Sequence, residues 1–313
     1  MAPLDPQCAV AVALLKARWR DGAMTVAAAR AFEAETFMLV NRTDLPVPWR
    51  AIEVPAGDGT PVGCRVYDPP GPAAGVVLWF HGGGFVLGSL DVCGFQAATL
   101  AVTSGCTVVA VDYRRAPEHP FPTAAEDCYA VTAWACAHRD ALGLPGGPVA
   151  VAGDSAGGNL AAVVALLARD RGGPELAFQL LVYPMIDRHV ATASRREHAD
   201  GWPSLDGATW LWDLYLQRPG DAGDPRASPL AATTLAGLPP ALVMTAEHDL
   251  LRDEGELYAA RLRDAGVPVA LRRYDGLLHG FLGLARIVDR AQDGLRDAGA
   301  AVRDAAALPV AGR

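Results

Sequence analysis

Between Pro148 and Gly158 the chain reads PVAVAGDSAGG, and no other stretch limits the possible folds so sharply. An apolar run with β-branched residues meets Ser155, which has Gly153 and Gly157 two residues to either side, and an alanine-rich helical pattern follows at once. Gly-x-Ser-x-Gly in that setting predicts a nucleophile elbow, a tight strand-to-helix turn that holds the serine strained and lifts its hydroxyl above a sheet. The two glycines let neighbouring backbone pass where a Cβ would collide. A helix beginning near Ala156 would point its unpaired N–H groups and positive dipole end at the place where an oxyanion forms.

The rest of the chain has a rhythm that suits such a turn. Residues 1–46 read as helical, with Leu14, Leu15, Trp19, Met24, Val26 and Phe32 apolar, until Leu45-Pro46-Val47-Pro48 breaks the pattern. Strands are predicted over Ala51 to Ala56 and Gly63 to Asp68, joined as an antiparallel hairpin by Gly57-Asp58-Gly59. From Gly75 onward, apolar strands at Gly75 to Phe80, Thr107 to Tyr113, Val149 to Gly153, Leu180 to Pro184, Ala241 to Ala246 and Val267 to Tyr274 alternate with helical stretches. That alternation implies right-handed crossovers and an α/β fold, a mostly parallel sheet with helices on both faces. One interruption, from His189 to about Pro229, holds Trp202, Trp210, Trp212 and Tyr215 among polar residues. It reads either as a helix, Leu205 to Leu216, lying on the core or as a lid over an apolar substrate. The expected organisation is a catalytic domain over 47–188 and 230–313, with cap segments at 1–46 and 189–229.

Bulk properties exclude several functions. The chain has 313 residues, half of them apolar, enough for one large core. A net charge of −8 without any Lys/Arg cluster argues against nucleic acid. Six cysteines lie without a C-x-x-C pair, which suits free thiols in a reducing compartment. The apolar run Cys8 to Leu15 has Asp5 before it and Lys16 to Arg20 after it, the reverse of a signal peptide's charge order, and is too short to span a bilayer. The expectation is a cytoplasmic protein with no membrane segment.

A serine hydroxyl needs a histidine base, and the histidine needs an acid that fixes its tautomer. In nucleophile-elbow proteins the order along the chain is serine, acid, histidine. Of His189, His198, His248 and His279, only His279 follows the last strand, between flexible glycines at Gly276 and Gly280. Asp249 is the favoured acid because it sits at the turn ending ALVMTAE; Glu247 falls within the strand, and Asp253 and Glu254 open the next helix as ordinary dipole partners. His81-Gly82-Gly83-Gly84 follows the strand VVLWF, the place of an HGGG-type oxyanion loop. The N–H groups of Gly83, Gly84 and Ala156 are the expected oxyanion donors, with His81 and Gly82 supporting the loop. No metal or cofactor is expected, since no His/Cys/carboxylate cluster has ligand spacing and the glycine run lacks the signature of a phosphate loop.

Taken together, His81 to Gly84, Tyr113 to Pro120 (YRRAPEHP), Gly153 to Gly158 (GDSAGG), Asp249 to Gly255 and His279-Gly280-Phe281 resemble the hormone-sensitive-lipase-like family of bacterial esterases. The likeness spans roughly residues 60 to 285. It implies an α/β-hydrolase fold with an eight-stranded sheet and a small helical cap, hydrolysis of carboxylic esters without a cofactor, and a homodimer through the last strand or helix. Leu250 departs from the family's usual proline after the acid. The cap segments match weakly, so the resemblance leaves the substrate open. The stretch Tyr113 to Pro120 reads as a bend held by ion pairs and prolines.

The expected activity is a serine carboxylesterase for short- to medium-chain esters. An amidase, deacetylase or acyltransferase with the same triad is the alternative, and a non-catalytic receptor would require a missing triad member. Trp202, Trp210, Leu211 and Trp212, with Leu14, Trp19 and Phe32, are expected to turn an apolar face to Ser155, and Phe85 to narrow the entrance. Such a pocket would favour about four to eight acyl carbons.

Overall fold

The computed structural model describes residues 2–17, 25–144 and 146–307. Its sheet has eight strands: β1 (Trp49–Pro55), β2 (Pro61–Tyr67), β3 (Val76–Phe80), β4 (Thr107–Val111), β5 (Val149–Asp154), β6 (Phe178–Val182), β7 (Ala241–His248) and β8 (Val269–Leu278). They lie in the order β1-β2-β4-β3-β5-β6-β7-β8. The hairpin β1–β2 is antiparallel, as is the β2–β4 pairing, and every later pair is parallel. The helices, in chain order, are α1 (Pro6–Lys16), α2 (Val26–Val40), α3 (Gly94–Ser104), α4 (Thr123–Ala137), α5 (Ala156–Asp170), α6 (Ala193–Glu197), α7 (Leu205–Tyr215), α8 (Arg252–Asp264) and α9 (Ala291–Ala306).

Strands β3, β4 and β6 are buried along their whole length, as nearly continuous apolar runs must be when helices cover both faces of a parallel sheet. The period of two divides them cleanly. Val76, Leu78 and Phe80 join the core under α4, α5 and α8, whereas Val77 and Trp79 join the core under α3 and α9. Local signals set the helix ends: Asp5 accepts from the Gln7 N–H ahead of Pro6 at the start of α1, and α3 stops at Gly105, which takes a left-handed φ of 70°.

Strand β8 runs to Leu278, four residues beyond the alternating pattern, because it passes an irregularity opposite Ala246 and His248. Gly276 lies there at φ 73°, and its N–H donates to Glu247 Oε2 at 2.8 Å. The extra length pairs Leu278 with His248 and so brings His279 beside Asp249 at the end of β7. No helix among the described residues is long and apolar enough to cross a membrane. All six cysteines are free thiols, five of them buried.

Candidate active site

Ser155 occupies the turn between β5 and α5 at φ 56°, ψ −118°, a left-handed conformation unusual for a side chain with a Cβ. Its backbone is fixed from both sides: the N–H donates to Val182 O at 2.9 Å, and the carbonyl accepts from the Met185 N–H at 3.0 Å. The flanking glycines are required by close approach. A Cβ on Gly157 would stand 1.9 Å from Phe80 O, and one on Gly153 would stand 2.2 Å from Gly157 O. The elbow is wedged against the end of β3, where the loop from His81 to Gly84 begins.

His279 bridges Ser155 and Asp249. Its Nε2 lies 2.9 Å from Ser155 Oγ and its Nδ1 lies 2.8 Å from Asp249 Oδ2. A carboxylate only accepts, so this network assigns the proton to Nδ1 and leaves Nε2 to accept from the serine hydroxyl. Asp249 is fully buried, and its Oδ1 accepts from the Leu251 N–H at 2.8 Å, which holds the carboxylate in place. Burial alone would lower the His279 pKa; the charge and hydrogen bond of Asp249, with Asp154 and Glu254 further off, outweigh it and raise the pKa above the ordinary 6.5. The rival acids serve elsewhere. Glu247 accepts from the N–H groups of Ala2 and Gly276, Asp253 from that of Ser194, and Glu254 from that of Ile186 while it pairs with Arg195 at 2.7 Å. Glu254 is fully buried, so it is a tie between α8 and the segment after β6 and not merely a dipole partner.

The N–H groups of Gly83, Gly84 and Ala156 make no hydrogen bond among the described residues, which leaves all three available to an oxyanion. Around them the loop is densely held. The Gly82 N–H donates to Asp154 Oδ1 at 3.0 Å, and the N–H groups of Val86 and Leu87 donate to Gly83 O. The His81 ring stacks on Tyr113 at 4.3 Å, its Nδ1 donates to Gly82 O at 2.7 Å, and burial pushes its pKa down to about 4, which keeps the ring neutral. The bend from Tyr113 to Pro120 supports the same loop: the Tyr113 hydroxyl donates to His81 O, the Ala116 N–H to Phe85 O, and Arg115 to Gly88 O. Arg114 is held apart by the fully buried Asp127. Helix α2 grips the loop's far end, where Arg30 Nε donates to Val86 O at 2.9 Å and Glu33 Oε2 accepts from the Gly88 N–H at 2.6 Å. Asp154 and Glu33 were not singled out in the sequence. Asp154 stands in the elbow motif itself, but its partner Gly82 is 72 positions away; Glu33 carries no local signal.

A cavity of about 450 Å³ opens over Ser155 and His279. Of the side chains expected to line it, Phe32, Trp202 and Leu211 do, and Leu15 takes the place of Leu14, which is exposed. Trp19 lies outside the described residues. Trp210, Trp212 and Phe85 do not line the cavity: Phe85 and Trp212 are buried, Phe85 stacks on Tyr215 at 3.9 Å, and Trp210 packs at the edge of the same core. The reason is the rotation of α7, which turns Ala208, Trp212 and Tyr215 inward at helical spacing and presents Leu211 over Gly84. The two segments flanking the opening meet through Lys16, which donates to Asp200 O, and through the rings of Phe32 and Trp202, 6.3 Å apart. Burial pushes the Asp154 carboxyl up to about 6 and that of Glu33 up to about 7, in each case against a backbone N–H that favours the charged form.

Comparison with known proteins agrees with this geometry. A family described as alpha/beta hydrolase fold matches residues 77–283. Esterase LipI of Mycobacterium tuberculosis is 45% identical over 250 residues, 78% of this chain and 77% of its own length. An ethyl acetate hydrolase of Pseudomonas putida is 35% identical over 277 residues, 86% of each chain. Among solved structures, a double mutant of the esterase rPPE superposes with a TM-score of 0.93 at 36% identity, covering 98% of both chains, and the esterase of Pyrobaculum calidifontis with 0.88 at 39% identity, covering 98% of this chain and 100% of the other.

Proposed function

The chain belongs to the hormone-sensitive-lipase-like family of alpha/beta hydrolases and is a carboxylic ester hydrolase; from that premise we propose that Ser155, His279 and Asp249 are its catalytic triad. The observation that carries the assignment is the unbroken chain of hydrogen bonds from Ser155 Oγ through the imidazole to a fully buried carboxylate. His279 takes the serine proton as Oγ attacks the ester carbonyl, and Asp249 stabilises the imidazolium that forms. Gly83, Gly84 and Ala156 donate to the tetrahedral oxyanion. His279 then protonates the leaving alcohol, and water attacks the acyl-enzyme by the same route in reverse.

The preferred substrates are esters of short- to medium-chain acids, held beneath a cap made of residues 1–46 and 189–229. The size of the cavity and its apolar side chains Leu15, Phe32, Trp202 and Leu211 support this reading. Six free thiols support a cytoplasmic site of action, and the partly exposed Leu271 on the edge strand β8 supports pairing with a second copy there. A series of p-nitrophenyl esters from acetate to palmitate tests the substrate reading. Turnover should peak at about four to eight acyl carbons, because each buried CH₂ adds about 0.8 kcal/mol until the chain outgrows the cavity; a maximum at palmitate would refute it.

A further inference from the structure

We propose that the cavity over Ser155 contains a polar subsite, built by Glu33 of α2 and Gln96 of α3, that binds a neutral hydroxyl group carried by the ester. The proposal rests on the ester hydrolase reading and adds a substrate class to it. Both side chains line the cavity, and neither belongs to the triad or the oxyanion loop.

The surroundings fix which atoms face inward. Glu33 commits Oε2 to the Gly88 N–H, and its Oε1 has no hydrogen bond among the described residues. Gln96 is 4% exposed, and its orientation follows from a relay. The Arg42 N–H donates to Asn41 Oδ1, so Asn41 presents its amide nitrogen, which donates to Val92 O at 2.9 Å and to Gln96 Oε1 at 3.2 Å. Gln96 therefore turns its own amide nitrogen away from Asn41, and that nitrogen has no partner among the described residues. The cavity wall thus offers one acceptor on Glu33 and one donor on Gln96, apart from the apolar side chains Leu15, Phe32, Trp202 and Leu211.

The chemistry of the pair selects its ligand. A hydroxyl group is matched to either side chain, since its proton suits Glu33 and its lone pair suits Gln96. An alkyl chain would strand both groups without water, and a buried site built for hydrogen bonding discriminates strongly against a ligand that leaves it unpaired. A carboxylate has no proton for Glu33, whose ionised form repels it. An ammonium has no lone pair for Gln96.

The test compares kcat/KM within matched pairs: monoacetates of linear diols of three to six carbons against the alkyl acetates, and methyl ω-hydroxyalkanoates against methyl alkanoates, so that the hydroxyl enters from either side of the scissile bond. ω-Ammonioalkyl acetates serve as the cationic comparison. At one chain length the hydroxylated ester should be preferred by about tenfold, although it is the more polar substrate. Gln96→Met, and Glu33→Gln, which keeps an acceptor for the Gly88 N–H, should each lower that ratio about fivefold or more. The ratio is internal to each variant, so a change in folded fraction cancels. Hydrolysis of plain esters with no hydroxyl preference at any length would overturn the subsite and leave the ester hydrolase reading intact, as would ratios unchanged in both variants. Preference for the ammonium ester, lost in Glu33→Gln, would overturn it in favour of a cation site. Failure of the folded protein to hydrolyse any ester would overturn both.

Discussion

Ser155 holds a φ that favours glycine, and it does so because Val182 O and the Met185 N–H fix its backbone from opposite sides. None of these bonds involves its hydroxyl, so Ser155→Ala should fold normally, with an unchanged circular dichroism spectrum, and lose several orders of magnitude in kcat/KM. The two nearby aspartates differ in kind. Asp249 fixes the His279 tautomer, and Asp249→Asn should cost about four orders of magnitude in kcat; Asp253, which binds the Ser194 N–H and Arg252, should affect stability and leave kcat within a few fold when changed to Asn. The pH dependence follows from His279. It must be neutral to act as base, and its pKa lies above the ordinary 6.5, so kcat/KM should rise with pH through a midpoint above 6.5 and fall away on the acid side. A profile flat from pH 5 to 8 would reassign the base.

Helix α7 shows what an element decides that its residues do not. Phe85, Trp212 and Tyr215 form a buried aromatic cluster, with Phe85 5.2 Å from Trp212 and stacked on Tyr215. Phe85→Ala should therefore lower unfolding stability by about 3–5 kcal/mol in a urea titration and leave the acyl-length optimum where it was. The hydrogen-bonded network of Ser155, His279 and Asp249 was legible in the sequence because chain order and strand ends suffice to find it, and the strands were legible because buried parallel strands are short continuous apolar runs. The cavity wall was legible only in part, at Phe32, Trp202 and Leu211. Three apolar residues in succession, Trp210, Leu211 and Trp212, leave a helix's rotation undetermined, and a turn of about 100° per residue decides which one meets substrate. Glu254 was hidden for another reason: its partners Ile186 and Arg195 lie 68 and 59 positions away, beyond any local pattern. Breaking its buried pairing with Arg195 by Glu254→Gln should cost about 3 kcal/mol, read from the same titration.

At the scale of the whole molecule, the cavity is assembled from three parts of the chain: the N-terminal helices, the insertion before β7 and the rim of the sheet. Leu211 touches the space above Gly84 from the insertion, and Leu211→Ala should move the optimum toward longer or branched acyl groups, as a chain-length series would register. The N-terminal helices do more than cover the opening. Through Arg30 and Glu33, α2 holds Val86 and Gly88 at the far end of the loop whose near end carries Gly83 and Gly84. Recombination between relatives therefore has a natural seam that is not the boundary of the cap. A chimera that imports a foreign N-terminal helix without residues able to replace those two bonds would inherit a new selectivity together with a loosened oxyanion loop, whereas exchanging residues 26–40 and 81–88 as one unit keeps covering and chemistry matched.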